Sequence, residues 1–254
     1  MRIIIFLGLC SAVLSANIPG EKEQRITAGL TARPGEFPYH ASLRTWDNVH
    51  FCNGFIANNQ WVVTVANCVH DRTIGNTFMA LGALHRYIDG IRYDISEIVI
   101  HPQYEPDTFR NDIALLRESE VIIETEYIHS ITLGSQYIRG GNIGLITSWG
   151  PTEFIPGTVF NPDSLKFRGI DTFNNYECVS LYGDQGKLIY DNKLCTEGFF
   201  GEICVPDAGS PVMDTSDDTV FSVLSWSSNC GAELPIVHER ISSHRNWILS
   251  HIQN

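Results

Sequence analysis

The sequence predicts an all-β fold that ends in one α-helix, and three observations carry this prediction. Short runs rich in Val, Ile, Phe and Tyr recur along the chain, separated by Gly, Pro, Asn and Asp, which is typical of strands joined by turns. A hydrophobic content of 43% with 18% charged residues is that of a compact globular protein. Apart from the N-terminal leader, only the C-terminal residues have the period of an amphipathic helix.

The strand pattern is clearest in four runs. These are residues 61–65, 95–100, 144–149 and 220–226. Their β-branched and aromatic side chains favour extended backbone because they pack well on a pleated surface. The C-terminal helix is predicted to have Ser242 or Ser243 as its N-cap. The residues on one face of this helix are Trp247, Ile248, His251 and Ile252.

The N-terminal segment has the pattern of a secretory signal peptide. Arg2 precedes an apolar run that extends from Ile3 to about Leu14, and small residues follow as far as Ala16. We therefore expect a signal peptide over 1–15, a propeptide over 16–25 and a mature domain over 26–254. An uncleaved membrane anchor is the alternative, but the apolar run is shorter than the roughly 20 residues that a membrane span needs. The protein is expected to be secreted.

Cysteine count and charge limit the classes of function. Loss of Cys10 with the signal peptide leaves six of the seven cysteines, an even number that predicts three disulfides in an oxidising compartment, with the pairing open. A formal net charge of −12 argues against nucleic-acid and anionic-membrane partners. The histidines have no convincing zinc spacing, so we expect neither a metal nor a cofactor.

Two short segments carry the most specific signal. Residues 64–68 read TVANC and residues 204–211 read CVPDAGSP. They resemble the TAAHC and CxGDSGGP segments of chymotrypsin- and trypsin-like serine proteases. Further markers follow in the family's order at 25–29 (RITAG), 35–39 (GEFPY), 50–54 (HFCNG), 111–116 (NDIALL), 148–150 (SWG) and 225–226 (SW).

This resemblance implies the architecture and the disulfides. The family fold consists of two packed, six-stranded antiparallel β-barrels, followed by a C-terminal α-helix, with the functional cleft between the barrels. The disulfide pairs that it implies are Cys52–Cys68, Cys178–Cys195 and Cys204–Cys230.

The resemblance also implies that the catalytic machinery is degenerate. Asn67 occupies the position of the histidine base and Ala208 that of the serine nucleophile, while Asp112 keeps the position of the orienting aspartate. An amide is no base near neutral pH, and a methyl group cannot attack a carbonyl. Pro206 replaces a glycine whose N–H points into the oxyanion hole, and proline has no N–H to donate. We expect a catalytically inactive homologue.

A misaligned triad is the alternative. His70 and Ser210 are the nearest substitutes for the missing base and nucleophile. Each is displaced along the chain from the family position and is expected to project in another direction. Catalytic geometry must hold to within a hydrogen-bond length, so rescue by either residue is disfavoured.

The specificity pocket and the activation site have counterparts by resemblance. The pocket has Glu202 at its base and Ser227 and Val237 in its walls, where the valine is expected to occlude it as in elastase-like members. A structural or solvated role for Glu202 is favoured over substrate binding, because a buried unpaired carboxylate is costly.

Zymogen cleavage after Arg25 would free the amino group of Ile26 to pair with Asp207. Alternatively these three residues are relics retained for folding, since a buried ion pair stabilises only when both partners are in place. Equal partner affinity of an Arg25→Gln protein and of the cleaved form would identify them as relics.

The leading hypothesis is a non-catalytic binding protein. It would act as a decoy, cofactor or regulator that engages a protease, an inhibitor or a host or immune protein outside the cell. Apolar loops at 154–157 and 199–200 are candidate contacts, although packing on their own barrel is at least as well supported. The alternatives are a chymotrypsin- or elastase-like endopeptidase with residual activity and a secreted storage or structural protein.

Overall fold

Sixteen strands and three helices form within the described part of the chain, which comprises residues 29–150, 153–155, 158–160, 163–183, 186–197, 208–227 and 234–253 of this computed structural model. The N-terminal strands are β1 (Leu30–Thr31), β2 (His40–Thr45), β3 (His50–Ile56), β4 (Trp61–Thr64), β5 (Thr77–Leu81), β6 (Ile91–Ile100) and β7 (Ala114–Glu118). The C-terminal strands are β8 (Thr132–Leu133), β9 (Ile143–Ser148), β10 (Glu153–Ile155), β11 (Thr158–Phe160), β12 (Lys166–Phe173), β13 (Lys193–Thr196), β14 (Pro211–Asp214), β15 (Thr219–Trp226) and β16 (Ile236–Arg240). The helices are α1 (Ala66–Val69), α2 (Asn175–Gly183) and α3 (Ile241–Ile252).

The first barrel closes in the order β2-β3-β4-β7-β6-β5, with every pair antiparallel. Its interior is filled by apolar side chains such as Leu43, Phe55 and Leu115, all fully buried. The strands predicted over 61–65 and 95–100 are confirmed as β4 and as the second half of β6.

The second barrel contains β9, β12, β13, β16, β15 and β14, each paired with the next, and pairing of β14 with β9 closes it. Its core includes Ile146, Ile170 and Leu224. The runs predicted over 144–149 and 220–226 coincide with β9 and β15. Two closed six-stranded antiparallel barrels followed by a helix confirm the fold class implied by the resemblance.

The helices differ from the sequence-based prediction in two respects. The N-cap of α3 is Arg240, without a side-chain cap bond, so the prediction of Ser242 or Ser243 is wrong. Strand β16 runs directly into the helix, and the buried Ile241 therefore begins it. Helix α2 was not predicted, because its only buried side chains, Cys178 and Tyr182, give it little amphipathic pattern.

Two disulfides lie within the described residues. Cys52–Cys68 joins β3 to α1, and Cys178–Cys195 joins α2 to β13, as the resemblance implied. The predicted Cys204–Cys230 pair lies outside the described residues. Among the helices that the structure describes, none has the length and apolar character needed to cross a bilayer.

Candidate functional site

Asn67 and Asp112 lie side by side where the two barrels meet. Helix α1 follows β4 and presents Asn67, and Asp112 lies just before β7. The backbone N–H of Asn67 donates to Oδ1 of Asp112 at 2.7 Å, and its side-chain Nδ2 donates to Oδ2 of Asp112 at 2.5 Å. The same Nδ2 donates to the carbonyl of Ser225 in β15 at 2.9 Å. The amide of Asn67 thus joins the first barrel to the second.

Asp112 is fully buried and accepts a third hydrogen bond, from Oγ of Ser225 at 2.5 Å. Burial raises the pKa of this carboxyl group to about 6, against the lowering effects of the nearby Lys193 ammonium and the Ser225 hydroxyl. The donors that satisfy the carboxylate are therefore an asparagine amide, a serine hydroxyl and a backbone N–H.

A buried charged cluster lies behind Asp112. It consists of Lys193 in β13, Glu239 in β16 and His244 in α3. The Nζ of Lys193 donates to Oε2 of Glu239, to Oγ of Ser225 at 3.2 Å and to the carbonyl of Phe109 at 2.6 Å. His244 Nε2 lies 2.5 Å from the other oxygen, Oε1, of Glu239.

The surroundings of Glu239 favour its charged form. Burial pushes the pKa of Glu239 up, but Lys193 and His244 overcome this effect and hold it below its usual range. Sequence reasoning missed the cluster. The available signal was the presence of charged residues in two short strand-like segments, Lys193 in KLCT and Glu239 with Arg240 in IVHER.

Ala208 lies beside β3 of the first barrel. Its carbonyl accepts the backbone N–H of Asn53 at 2.8 Å, and its methyl group is buried. The following Gly209 has φ +83°, and a Cβ there would lie 2.0 Å from the Asn53 carbonyl oxygen, so only glycine fits. The turn after Ala208 therefore requires glycine at 209, and the side chain just before it is a methyl group.

Neither proposed substitute occupies the catalytic position. Ser210 is completely buried in the second barrel, so a bound substrate cannot reach its hydroxyl. His70 lies on the surface, where its Nε2 pairs with Asp71 at 3.0 Å and its ring packs against Tyr104.

An aromatic cavity of about 200 Å³ opens next to this network. The rings of Phe109 and Trp226 stack with centroids 6.5 Å apart, and the ammonium group of Lys187 lies 4.8 Å from the Trp226 ring. The residues that line the cavity are Asp107, Thr108, Phe109, Gly186, Lys187, Leu188 and Trp226. It offers an apolar, aromatic surface with one basic group at its edge.

The remaining predicted site residues divide into two groups. Val237 is fully buried and packs with Tyr182 and the Cys178–Cys195 disulfide, and Ser227 directly follows β15. Their role as pocket walls stays a prediction, because the base of that pocket is not described. The predicted positions outside the described residues are Arg25, Ile26, Glu202, Cys204, Pro206, Asp207 and Cys230.

Comparison with known proteins covers both barrels. The family model described as Trypsin matches residues 26–248. The chain is similar to Trypsin theta of Drosophila melanogaster, with 29% identity over 260 residues and 98% of each chain covered. It is also similar to Trypsin of Sarcophaga bullata, with 26% identity over 249 residues that span 98% of this chain and 97% of the relative.

Proposed function

The chain belongs to the trypsin family of serine proteases, and from that premise we propose that it is a secreted, non-catalytic member that binds an extracellular protein. The observation that carries the proposal is the hydrogen bonding of Asn67. Both of its side-chain N–H groups donate, one to Asp112 and one to the Ser225 carbonyl. The Asn67 side chain thus makes Asp112 a structural acceptor. By resemblance, Asn67 itself occupies the position where the family reaction needs a base.

The chemistry supports inactivity at each step of acyl transfer. A serine protease needs a base to take the hydroxyl proton, a nucleophile to attack the carbonyl and two donors for the oxyanion. Asn67 has no basic nitrogen, and Ala208 has no nucleophilic atom. Loss of the serine or the histidine alone costs on the order of 10⁶ in rate in a related triad enzyme.

Binding remains compatible with this site. The cavity between Phe109 and Trp226 is a concave aromatic surface, and such surfaces anchor protein interfaces. Lys187 and Asp107 both line the cavity, so it could hold a ligand that carries a polar or charged group beside an apolar side chain. A chain that holds a protease's substrate or inhibitor without cutting it would act as a decoy or regulator of extracellular proteolysis.

The alternative is a chymotrypsin- or elastase-like endopeptidase with residual activity. The names of the relatives, each a trypsin, favour protease activity but not that specificity. An irreversible serine-directed phosphonate separates the two possibilities. We expect no adduct by intact mass spectrometry on the protein cleaved after Arg25, while an active trypsin treated in parallel is labelled completely. A stoichiometric adduct on the chain would overturn the proposal.

Rebuilding the triad tests the reasons for inactivity. The variant Asn67→His with Ala208→Ser places a base and a nucleophile beside Asp112, but Pro206 still withholds one oxyanion donor. We expect the rate of turnover by this double variant to be about 10² to 10³ times lower than that of the triple variant that also carries Pro206→Gly. Substrates with alanine or valine before the cleaved bond test the expected narrow pocket. Efficient turnover by the double variant alone would contradict the role assigned to Pro206.

A further inference from the structure

A groove on the first barrel is unrelated to the triad positions. Two cavities of about 550 and 700 Å³ flank the start of β6 and share Ile91 and Thr125. One wall is residues 91–94 of β6, and the other is the segment 119–128 that follows β7. We call this feature the barrel-end groove. It contains no residue of the Asn67 network and none of the aromatic cavity.

Large apolar side chains line this groove and are exposed to solvent. The exposed fractions are 56% for Ile91, 53% for Val121, 72% for Ile123 and 47% for Tyr127. Single exposed apolar residues are common, but a contiguous set in a concave surface marks an interaction site. Each of these four side chains thus leaves at least 47% of its surface exposed to solvent.

The β6 wall presents an open strand edge. Residues 91–94 pair with β5 on one side, whereas pairing with β7 on the other side begins at Ile95. The Asp94 carbonyl accepts the Ser119 N–H at 2.9 Å, so it points away from β5 and towards the groove side. Backbone groups two residues apart share an edge, and therefore the N–H and carbonyl of Arg92 point the same way. An open edge of this kind can pair with an extended chain.

The second wall is held in place by its own contacts. Ile122 is buried and donates its N–H to the Asn59 carbonyl at 2.8 Å. The Thr125 hydroxyl accepts the backbone N–H groups of Tyr127 and Ile128, each at 3.1 Å. The groove is thus formed in advance, which lowers the ordering cost of binding.

The charge of the groove selects the chemistry of its occupant. Its acidic lining residues are Asp94, Glu120 and Glu126. Its basic lining residue, Arg92, is already bonded to Asp94 at 2.8 Å and lies 3.9 Å from the Trp46 ring. The other two acidic residues, Glu120 and Glu126, give the groove a negative charge that complements Lys or Arg. A second copy is disfavoured, since the chain has a formal net charge of −12.

We propose that the barrel-end groove binds an extended segment of a partner protein that carries alternating apolar side chains flanked by Lys or Arg. The segment adds as an antiparallel strand beside residues 91–94, with its central residue opposite Arg92. Its apolar side chains then lie opposite Ile91 and Tyr93, on the face that lines the groove. This inference is independent of whether the chain is a protease, because the groove shares no residue with the triad positions.

The test uses peptides of defined sequence. The probe is acetyl-Lys-Val-Thr-Val-Lys-amide, compared with its Glu-flanked counterpart and with the same peptide N-methylated at threonine. Titration of the full-length protein is followed by the NMR methyl signals of Ile91 and Ile123. We expect saturable shifts for the basic peptide and at least fivefold weaker binding for the other two, because one lacks charge complementarity and one lacks the donor to the Arg92 carbonyl.

Matched variants locate the binding. Ile123→Ser should weaken binding of the basic peptide at least fivefold. Ile143→Ser, at an isoleucine that is 64% exposed on the second barrel, should leave it unchanged. Both residues are exposed, so neither change should affect folding, which circular dichroism checks.

Several results would overturn the inference. They are no saturable shift, equal binding of all three peptides, or equal effects of the two variants. Self-association that Ile123→Ser abolishes would assign the groove to a second copy. Binding seen only after removal of the residues before Ile26 would assign it to the chain's own N-terminal segment.

Discussion

Asn67 illustrates how one substitution changes the role of a site. A histidine in this position would donate its Nδ1–H to Asp112 and accept the proton of a serine hydroxyl at Nε2. The asparagine amide instead has two donors with fixed directions, and Asp112 and the Ser225 carbonyl accept them. The Asp112 carboxylate is buried and accepts hydrogen bonds from the Asn67 backbone, the Asn67 side chain and the Ser225 hydroxyl. The Asn67 amide therefore forms a hydrogen-bonded link between the two barrels.

This link should contribute measurably to stability. Asn67→Ala removes two side-chain hydrogen bonds, one of them to a carboxylate, and leaves Asp112 with fewer donors. We expect a loss of about 1.5–3 kcal/mol in the free energy of unfolding, measured by urea denaturation. Asn59→Ala, at an exposed asparagine of the β3–β4 connection, serves as the control and should change it by less than about 0.5 kcal/mol. Equal stability of the two variants would contradict a structural role for the Asn67 amide.

At the scale of elements, a charged pair joins two central strands of the second barrel. Lys193 of β13 lies directly opposite Glu239 of β16 in the ladder, and both side chains are buried. Lys193 also reaches the Phe109 carbonyl in the first barrel, and His244 of α3 contacts Glu239. Two strands, the C-terminal helix and the first barrel thus meet at one pair of charges.

A double-mutant cycle should reveal this coupling. Lys193→Met leaves the Glu239 carboxylate without its main cation, and removal of one partner of a buried pair costs about 3–5 kcal/mol. Adding Glu239→Leu removes the unpaired charge. The destabilisation of the double variant should therefore be smaller than the sum of the destabilisations of the two single variants.

The exposed Arg117–Glu97 pair, at 3.8 Å, supplies the comparison. Arg117→Met should cost no more than about 1 kcal/mol, because solvent screens that pair. Additive costs for the Lys193 and Glu239 variants would mean that the buried pair is not coupled.

At the scale of the whole molecule, each barrel buries a neutral histidine. His40 in β2 contacts Thr147 and Asn53, and burial lowers its pKa to about 4. His238 in β16 contacts Thr196, and burial lowers its pKa to about 3. Between pH 6.5 and these values the unfolded chain binds more protons than the folded protein. The stability that these neutral histidines contribute is fully present above pH 6.5 and is therefore lost as the pH falls towards 4.

Stability should fall between pH 7 and pH 4, and we call this part of the pH profile the acid limb. Replacing one of these histidines should make the acid limb less steep. His40→Gln keeps a donor and an acceptor but cannot take up a proton. Between pH 7 and pH 4 we expect its loss of unfolding free energy to be smaller than that of the natural protein by roughly 1–3 kcal/mol. Urea denaturation at several pH values provides the measurement.

The control for this experiment is Asn59→Ala, at an exposed side chain that does not titrate and should leave the acid limb unchanged. Asp112 acts in the opposite direction, because its raised pKa of about 6 makes the folded state bind the extra proton between about pH 4 and 6. The comparison therefore rests on differences between variants. An unchanged acid limb in His40→Gln would assign the acid sensitivity to other groups.

The sequence by itself determined the family and the two barrels, and it predicted that the triad positions are degenerate. These depend on short segments around Asn67 and Ala208 and on their order along the chain, which are visible without coordinates. Two of the three expected disulfides, Cys52–Cys68 and Cys178–Cys195, followed from the same resemblance. The placement of asparagine and alanine at triad positions stays a prediction, and it concerns chemical groups that are visible without a fold.

The tertiary structure alone decided what surrounds those groups. Lys193 and Glu239 are 46 residues apart, and Asp112 and Ser225 are 113 apart, so barrel closure brings them together. The barrel-end groove likewise depends on where β7 stops pairing with β6, a register that alternation of residue types does not reveal. Local patterns specify which residues form strands, whereas the contacts between distant strands arise from packing the whole chain.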